Sequence, residues 1–418
     1  MRITFLILAL VPFLTSCNPT DDPCFTCIPQ DTIPGSPFNV LWRTPLNPDT
    51  ADCISMQPVV YNGKVVYSIL FYVGGYEFLR AVDAASGQPV WAWDPIWPGE
   101  TLSRGSRFSR ENQFVLTHSG PTYCIDLNSG QNIWYNTVNS SNTTGKPYLS
   151  RVGDHIYTEH SSKIVLDTAS YFVRADINTG IWDTLFVLKS DEGYRPSLFP
   201  PSLWVSPIGD SILIFQNRQW NFPASDGRLD MLAYNLRTRS FEWTNKDFDP
   251  VGNSNIETPL IHENKVFLQA EKAVYCFDAA TGIRLWKWDA PLSGDNLMQA
   301  NMVVAEGKLY VKPNNDRALY ALNLVTGKTV DYIQNAGVGQ GILSYHNGIL
   351  YYASEGDGKI YAIHLTQRRV IWGDKSPTEA LPGKWQGDTT CRNLRVSPEH
   401  NCVFVADNYF LMAIALPQ

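Results

Sequence analysis

Short stretches of alternating apolar and polar residues run along almost the whole chain, and they come in pairs joined by turn-forming residues. The clearest pair is Val274 to Trp286, VYCFDAATGIRLW. Apolar residues alternate up to Phe277. Asp278 can then accept backbone N–H bonds across the turn, Thr281 supports it, and Gly282 supplies a positive φ before the chain returns to Trp286. The same grammar recurs at Arg80 to Trp91, Tyr123 to Trp134, Val173 to Asp183, Leu232 to Trp243, Leu319 to Asp331 and Ile360 to Trp372. The turn residue falls at Asp83, Asp126, Asp176, Asn235, Asp278, Asn323 and His364, spaced 43, 50, 59, 43, 45 and 41 residues apart.

A second repeat lies upstream of each hairpin: a tight turn followed by an apolar strand, as in NGKVVY from Asn62, ENKVFL from Glu263 and HNCVFV from His400. It occurs eight times, so each unit is two hairpins, or four strands. A period in the forties with four strands per unit predicts an all-β, eight-bladed β-propeller of four-stranded antiparallel blades. The chain ends after Phe410 to Leu416, which matches the third strand of a unit. Val40 to Leu46, with Trp42, matches a fourth strand that no third strand precedes. The N-terminal strand is therefore expected to complete the last blade and close the ring, because an incomplete blade leaves an open edge.

Before this pattern begins, residues 1–16 read as a leader. Arg2 precedes a 12-residue apolar core, Ile3 to Leu14, which is too short to span a bilayer. Leu14-Thr15-Ser16-Cys17 has the form of a lipobox and resembles bacterial lipoprotein leaders. That resemblance implies cleavage before Cys17 and lipidation of it, enough chains for stable anchoring. Asn18 after Cys17 favours outer-membrane sorting by the same analogy, and Asp21 and Asp22 resemble a surface-export signal. Residues 17–38, with five prolines, read as a lipidated tether, and 39–418 as the propeller.

Composition narrows the function. The net charge of −7 gives no electrostatic footing for nucleic acid. Of 8 cysteines, Cys24 and Cys27 form a CxxC without the second pair a zinc site needs, so a local disulfide is the plainer reading. Cys124 and Cys276 stand where other copies carry alanine, as small core residues. Cys53 and Cys391 precede the first strands of neighbouring blades; a bridge between them, or between Cys391 and Cys402, stays open. No GxSxG, HExxH or HxxEH occurs, and the histidines are scattered, so neither a nucleophile elbow nor a shared metal site is indicated. The acidic stretches at Asn314 to Arg317 and Glu355 to Gly358 read as turns between second and third strands.

FDAATGIRLW and AVDAASGQPVW resemble the repeat of pyrroloquinoline-quinone-type propellers, from about residue 39 to the C-terminus. The resemblance implies that Trp42, Trp91, Trp134, Trp243, Trp286 and Trp372 dock between blades. Thr184 and Asp331, or neighbours, take that slot in two blades, whose contacts are expected to be weaker. Quinoprotein alcohol dehydrogenases of this kind carry an adjacent cysteine pair, which is missing here, and no ligand or base aligns by motif. The lipobox, eight blades and ring length are similar to the BamB-like lipoproteins of outer-membrane β-barrel assembly, which implies a non-catalytic scaffold that binds protein partners in the outer membrane or periplasm and needs no cofactor.

Several residues exceed what connections require. Trp97, Arg104 and Arg107 form a rim suited to an anionic or carbohydrate group. Gln216 to Leu229 reads as a long hairpin loop presenting Trp220 and Phe222, and Trp385 precedes the eighth blade; both suit partner contact. Asp-Ser/Thr pairs resemble a periplasmic O-glycosylation sequon, with Thr32 and Thr50 the most exposed in sequence terms. The expected function is an outer-membrane, lipid-anchored scaffold; a quinone- and calcium-dependent dehydrogenase and a surface glycan-binding module are the alternatives.

Overall fold

The computed structural model describes residues 28–29, 36–46, 56–70, 77–93, 107–110, 112–117, 122–136, 143–145, 149–162, 169–221, 226–249, 258–292, 297, 302–339, 341–354, 356–380, 394–407 and 409–417. They form eight antiparallel sheets arranged as an eight-bladed propeller. Blade 5 is the simplest: Leu260–His262, Lys265–Gln269, Ala273–Asp278 and Arg284–Asp289 pair in sequence order from the first strand to the fourth. Blades 1 to 4 span 59–93, 107–136, 143–188 and 195–249, and blades 6 and 7 span 303–333 and 344–375. Blade 8 joins Leu394–Ser397, Cys402–Ala406 and Phe410–Ala415 to Val40–Pro45, with Trp42 opposite Ala413. The N-terminal strand thus closes the ring, as the unpaired third strand predicts. Ile28–Pro29 adds a short fifth strand against Trp42 and Arg43, so the segment read as tether touches the outer edge of blade 8.

The hairpin turns form as their sequences require. Asp278 Oδ1 accepts the Thr281 amide at 2.9 Å and its hydroxyl at 2.8 Å, and Gly282 sits at φ +70°. Asp83, Asp126, Asp176 and Asn323 repeat the arrangement, and His364 Nδ1 substitutes for the carboxylate by accepting the Gln367 amide. The Ser86 hydroxyl and amide, with the Ala85 amide, hold the Asp83 carboxyl below its usual pKa against the effect of burial. Several of these turns are tied to the tight turn between the first two strands of their own blade: Ala84 N donates to Gly63 O, Leu127 N to Asn112 O, Ala279 N to Asn264 O and Leu365 N to Gly348 O. Both sets of turns therefore lie on one face of the ring.

The blades are joined by a tryptophan clasp. The indole of Trp42 lies on Gly87 in the turn of the next blade, so close that an added Cβ there would stand 2.6 Å from the ring. Its Nε1 donates to Ala84 O at 3.0 Å. Trp91 on Gly130, Trp134 on Gly180, Trp243 on Gly282 and Trp286 on Gly327 repeat both contacts. The residue opposite the indole is small in every case: Ala413, Ala81, Cys124, Ala233 and Cys276. Cys124 and Cys276 are buried free thiols, as their alanine-like positions imply. Cys402 is also a buried free thiol. Cys24, Cys27, Cys53 and Cys391 lie outside the described residues.

Three junctions differ. Between blades 3 and 4 both the tryptophan and the glycine are missing, and Phe172, Phe186, Phe215, Tyr234 and Phe241 stack instead, with Phe172 and Phe215 at 4.9 Å and 11°. The register sets Asp183, not Thr184, opposite Arg174, and the two form an ion pair at 3.1 Å. Between blades 6 and 7, Asp331 meets Arg368 at 2.6 Å. At the seam with blade 8, Trp372 packs edge-on against Phe38 at 5.3 Å. The expectation of weaker contacts at Thr184 and Asp331 is thus modified: each site carries a different, complementary contact.

Candidate functional site

The two faces of the ring are unlike. One carries the tied turns just described. The other carries the ends of the strands at which second and third strands, and successive blades, are joined. At the mouth of the channel on this second face, blades 3 to 6 enclose an open cavity of about 550 Å³. Ser150 and Ser202 begin innermost strands, Thr258 precedes one by two residues, Gln216 and Gln269 come from second strands, and Leu203 and Met302 add apolar surface.

These polar groups are positioned by the backbone of the next blade. Ser150 Oγ donates to Pro201 O at 2.6 Å, and Ser202 Oγ donates to Pro259 O. Each serine therefore latches the start of one innermost strand to the residue just before the next. Gln269 Nε2 donates to Leu297 O at 2.7 Å. Leu203 remains 37% exposed beside them. The result is a fixed rim that mixes hydroxyl and amide dipoles with apolar side chains, a composition suited to recognition of a polypeptide surface.

The lining of this mouth has one cation, Arg151, and no carboxylate among the described residues. Among the described residues there is also no group of three or more His, Cys, Asp or Glu side chains able to hold a metal ion. A quinone held on calcium draws on carboxylate ligands, so the donors of this mouth do not fit that group.

The predicted contact residues are dispersed. Trp220 is not in a loop: Ser211–Asn221 and Asp226–Asn235 pair without interruption to Asn221 and Asp226, and Arg195–Leu198 pairs along the other edge of Asn217 to Trp220, making a three-stranded extension of blade 4. The Trp220 ring folds over Gly227 directly opposite and lies 5.3 Å from the Arg218 guanidinium. Gln219 and Asn217 both donate to buried Asp230, which makes the base of the extension rigid. The expected loop failed because a strand pair with polar residues on both faces has no apolar alternation to reveal it. Arg107 is the first residue of the innermost strand of blade 2, opposite Leu116. Cys17, Thr32, Thr50, Trp97, Arg104, Phe222 and Trp385 lie outside the described residues. The described residues of the acidic stretches lie between second and third strands as expected, Glu355 being outside them: Asp316 accepts the Tyr320 hydroxyl, and Asp357 accepts that of Tyr361 at 2.6 Å.

The mouth itself was not legible in sequence. Ser150, Ser202, Gln216 and Gln269 belong to three successive blades, and only the packing of those blades side by side brings them together.

A PQQ-repeat family model described as the outer membrane protein assembly factor BamB matches residues 39–181 and 225–415. The dehydrogenase subunit of the quinone alcohol dehydrogenase of Gluconacetobacter polyoxogenes is 26% identical over 91 residues, covering 20% of this chain and 12% of that protein. The corresponding subunit from Acetobacter aceti is 29% identical over 91 residues with the same coverage. The chain thus spans only about an eighth of the length of these relatives. Among solved structures, the quinohemoprotein alcohol dehydrogenase of Comamonas testosteroni superposes with a TM-score of 0.63 at 10% identity, covering 94% of this chain and 80% of that one. The computationally designed Ika8 protein gives 0.58 at 12% identity, covering 88% and 97%. At these identities the superpositions speak to the fold alone.

Proposed function

Because the chain belongs to the PQQ-repeat propeller family described as the outer membrane protein assembly factor BamB, we propose that it is a non-catalytic scaffold, anchored in the outer membrane through lipid on Cys17, that binds protein partners there or in the periplasm. The observation that supports this most is the inequality of the two faces. One is closed by tied turns, and the other carries an open rim held by Ser150, Ser202 and Gln269. A surface of that kind keeps its shape before a partner arrives and so loses little conformational entropy on binding. The quinone- and calcium-dependent reading draws on the dehydrogenase relatives, but the donors at the mouth do not favour it.

The test is purification of the lipidated protein from its own membranes in mild detergent, with Cys17→Ala as control. Recovery of a stoichiometric outer-membrane or periplasmic protein, lost when the anchor is removed, supports the reading. Recovery of the chain alone, bearing a quinone chromophore or a bound glycan, contradicts it.

A further inference from the structure

We infer that a second cavity, between blades 6 and 7 and away from the channel mouth, binds a small aromatic acid: a ring carrying a carboxylate. The inference does not depend on the scaffold reading. It begins from a row of side chains that recurs on the side of each blade facing its predecessor, where residues of the third and fourth strands stand opposite one another. In blade 2 the pair is Tyr123 and Tyr135, stacked at 6.3 Å and 27°. In blade 6 it is Tyr320 and Tyr332 at 6.2 Å. In blade 5 the Lys287 ammonium covers Tyr275, 5.7 Å from the ring centroid.

In blade 7 the residue opposite Tyr361 is Gly373. The ring that fills this place in blades 2 and 6 is missing, and a cavity of about 390 Å³ stands there. Its walls include Tyr361, Val370 and Gly373 on blade 7, Asn335 on the connection from blade 6, and two cations, Arg317 and Lys359. An added Cβ at Gly373 would come no nearer than 3.2 Å to Val370 and 3.4 Å to Tyr361, so a side chain can start from that position.

The wall beside it is rigid. Ala336 N donates to Arg317 O at 2.7 Å, the Tyr352 hydroxyl donates to Ala336 O, and Ser354 Oγ donates to Val338 O. Gly337 at φ +70° lies so close to Tyr361 that a Cβ there would stand 2.5 Å from its ring. The connection can take this path only as glycine. Asp357, the one carboxylate of the lining, already accepts the Tyr361 hydroxyl. Two cations against that single carboxylate leave the lining one positive charge in excess, which suits an anion. A ring in the vacant tyrosine place and a carboxylate at Arg317 and Lys359 satisfy both halves. Such a group comes either from a free aromatic acid or from the C-terminal aromatic residue of a polypeptide.

Titration calorimetry on the full chain tests this with N-acetyl-L-phenylalanine, its carboxamide, phenylacetate and a short peptide ending in phenylalanine. The acid is expected to bind one to one, and the carboxamide at least about tenfold more weakly, as loss of a charge-assisted contact predicts. Arg317→Ala and Lys359→Ala should each cost a similar factor. Gly373→Tyr should abolish binding with an unchanged melting temperature, because it rebuilds the pair seen in blades 2 and 6; Gly373→Leu serves as the plug if the tyrosine variant does not fold. Binding of the peptide as tight as that of the single residue assigns the site to chain termini, whereas binding of phenylacetate without the peptide assigns it to a free acid. Absence of heat with every acid up to about 10 mM, equal binding of plain acetate, or binding undiminished by the plug variants would overturn the inference.

Discussion

Arg368, at the turn of blade 7, donates to Asp331, on the outer strand of blade 6, at 2.6 Å. These two positions hold glycine and tryptophan at the clasped junctions, where the tryptophan covers the glycine of the following turn. Arg368 keeps the positive φ of the glycine it replaces, at 54°. The exchange is reciprocal, since a tryptophan at 331 would collide with the Arg368 side chain, and a glycine at 368 would leave Asp331 without its cation.

A double-mutant cycle at this junction should therefore show strong coupling. The Arg368 side chain is 57% exposed, so the ion pair is worth less than about 1 kcal/mol, and Arg368→Gly alone should change stability little, its loss of the pair offset by relief of the positive φ. Asp331→Trp alone should destabilise. Asp331→Trp with Arg368→Gly should raise the melting temperature above wild type, because it adds a buried indole and removes a strained φ. Urea denaturation of the four proteins measures the coupling.

The clasps should also be readable glycine by glycine. Gly130→Ala drives a methyl to within 2.7 Å of the Trp91 ring, whereas Gly63→Ala meets nothing within 4 Å and bears only the positive φ. Gly63→Ala should cost about 1 kcal/mol and Gly130→Ala clearly more. Trp42→Ala, which empties a site 2% exposed, should cost about 3–5 kcal/mol. Thermal unfolding ranks the three.

Buried His160, its ring tilted at 59° to that of Trp182 with centroids 5.1 Å apart, has its pKa lowered from 6.5 to about 4 by burial. Its imidazole stays neutral in the native state while the unfolded chain takes up a proton near pH 6.5. The unfolded state thus binds more protons between pH 6.5 and about 4, and stability falls as pH drops through that window, by of order 3 kcal/mol from this group. His160→Leu should flatten the profile there. The Asp83 turn carboxylate, whose pKa is lowered, contributes above its unfolded value near 4 and is lost only at lower pH.

Burial raises the thiols of Cys124, Cys276 and Cys402 to about 12. Thiolate is the reactive form. These three should resist alkylation at pH 8 in the native protein and react fully in denaturant, as peptide mass mapping would show.

Much of this architecture was legible because it is local. The Asp278 to Gly282 turn, the alternation before it and Trp286 after it lie within thirteen residues, and the ring closure followed from Phe410 to Leu416 lacking the partner that Val40 to Leu46 supplies. What escaped depends on neighbours in space. The extension at Trp220 is held by cross-strand pairing and the Asp230 network, with no apolar alternation. Asp331 and Arg368 are 37 residues apart, and their relation shows only when the two gaps in the Trp-and-Gly pattern are read together. The mouth at Ser150, Ser202, Gln216 and Gln269 exists only where blades 3, 4 and 5 pack against one another.

The central claim is that one face of a rigid ring receives a protein partner, and site-specific photo-crosslinking in native membranes tests it most directly. A photoreactive residue at Leu203, beside the mouth, is compared with one at Val325, 67% exposed in a turn of the opposite face. A discrete crosslinked protein from Leu203 and none from Val325 is the predicted result. Equal labelling from both positions, or a discrete product from Val325 alone, would contradict it.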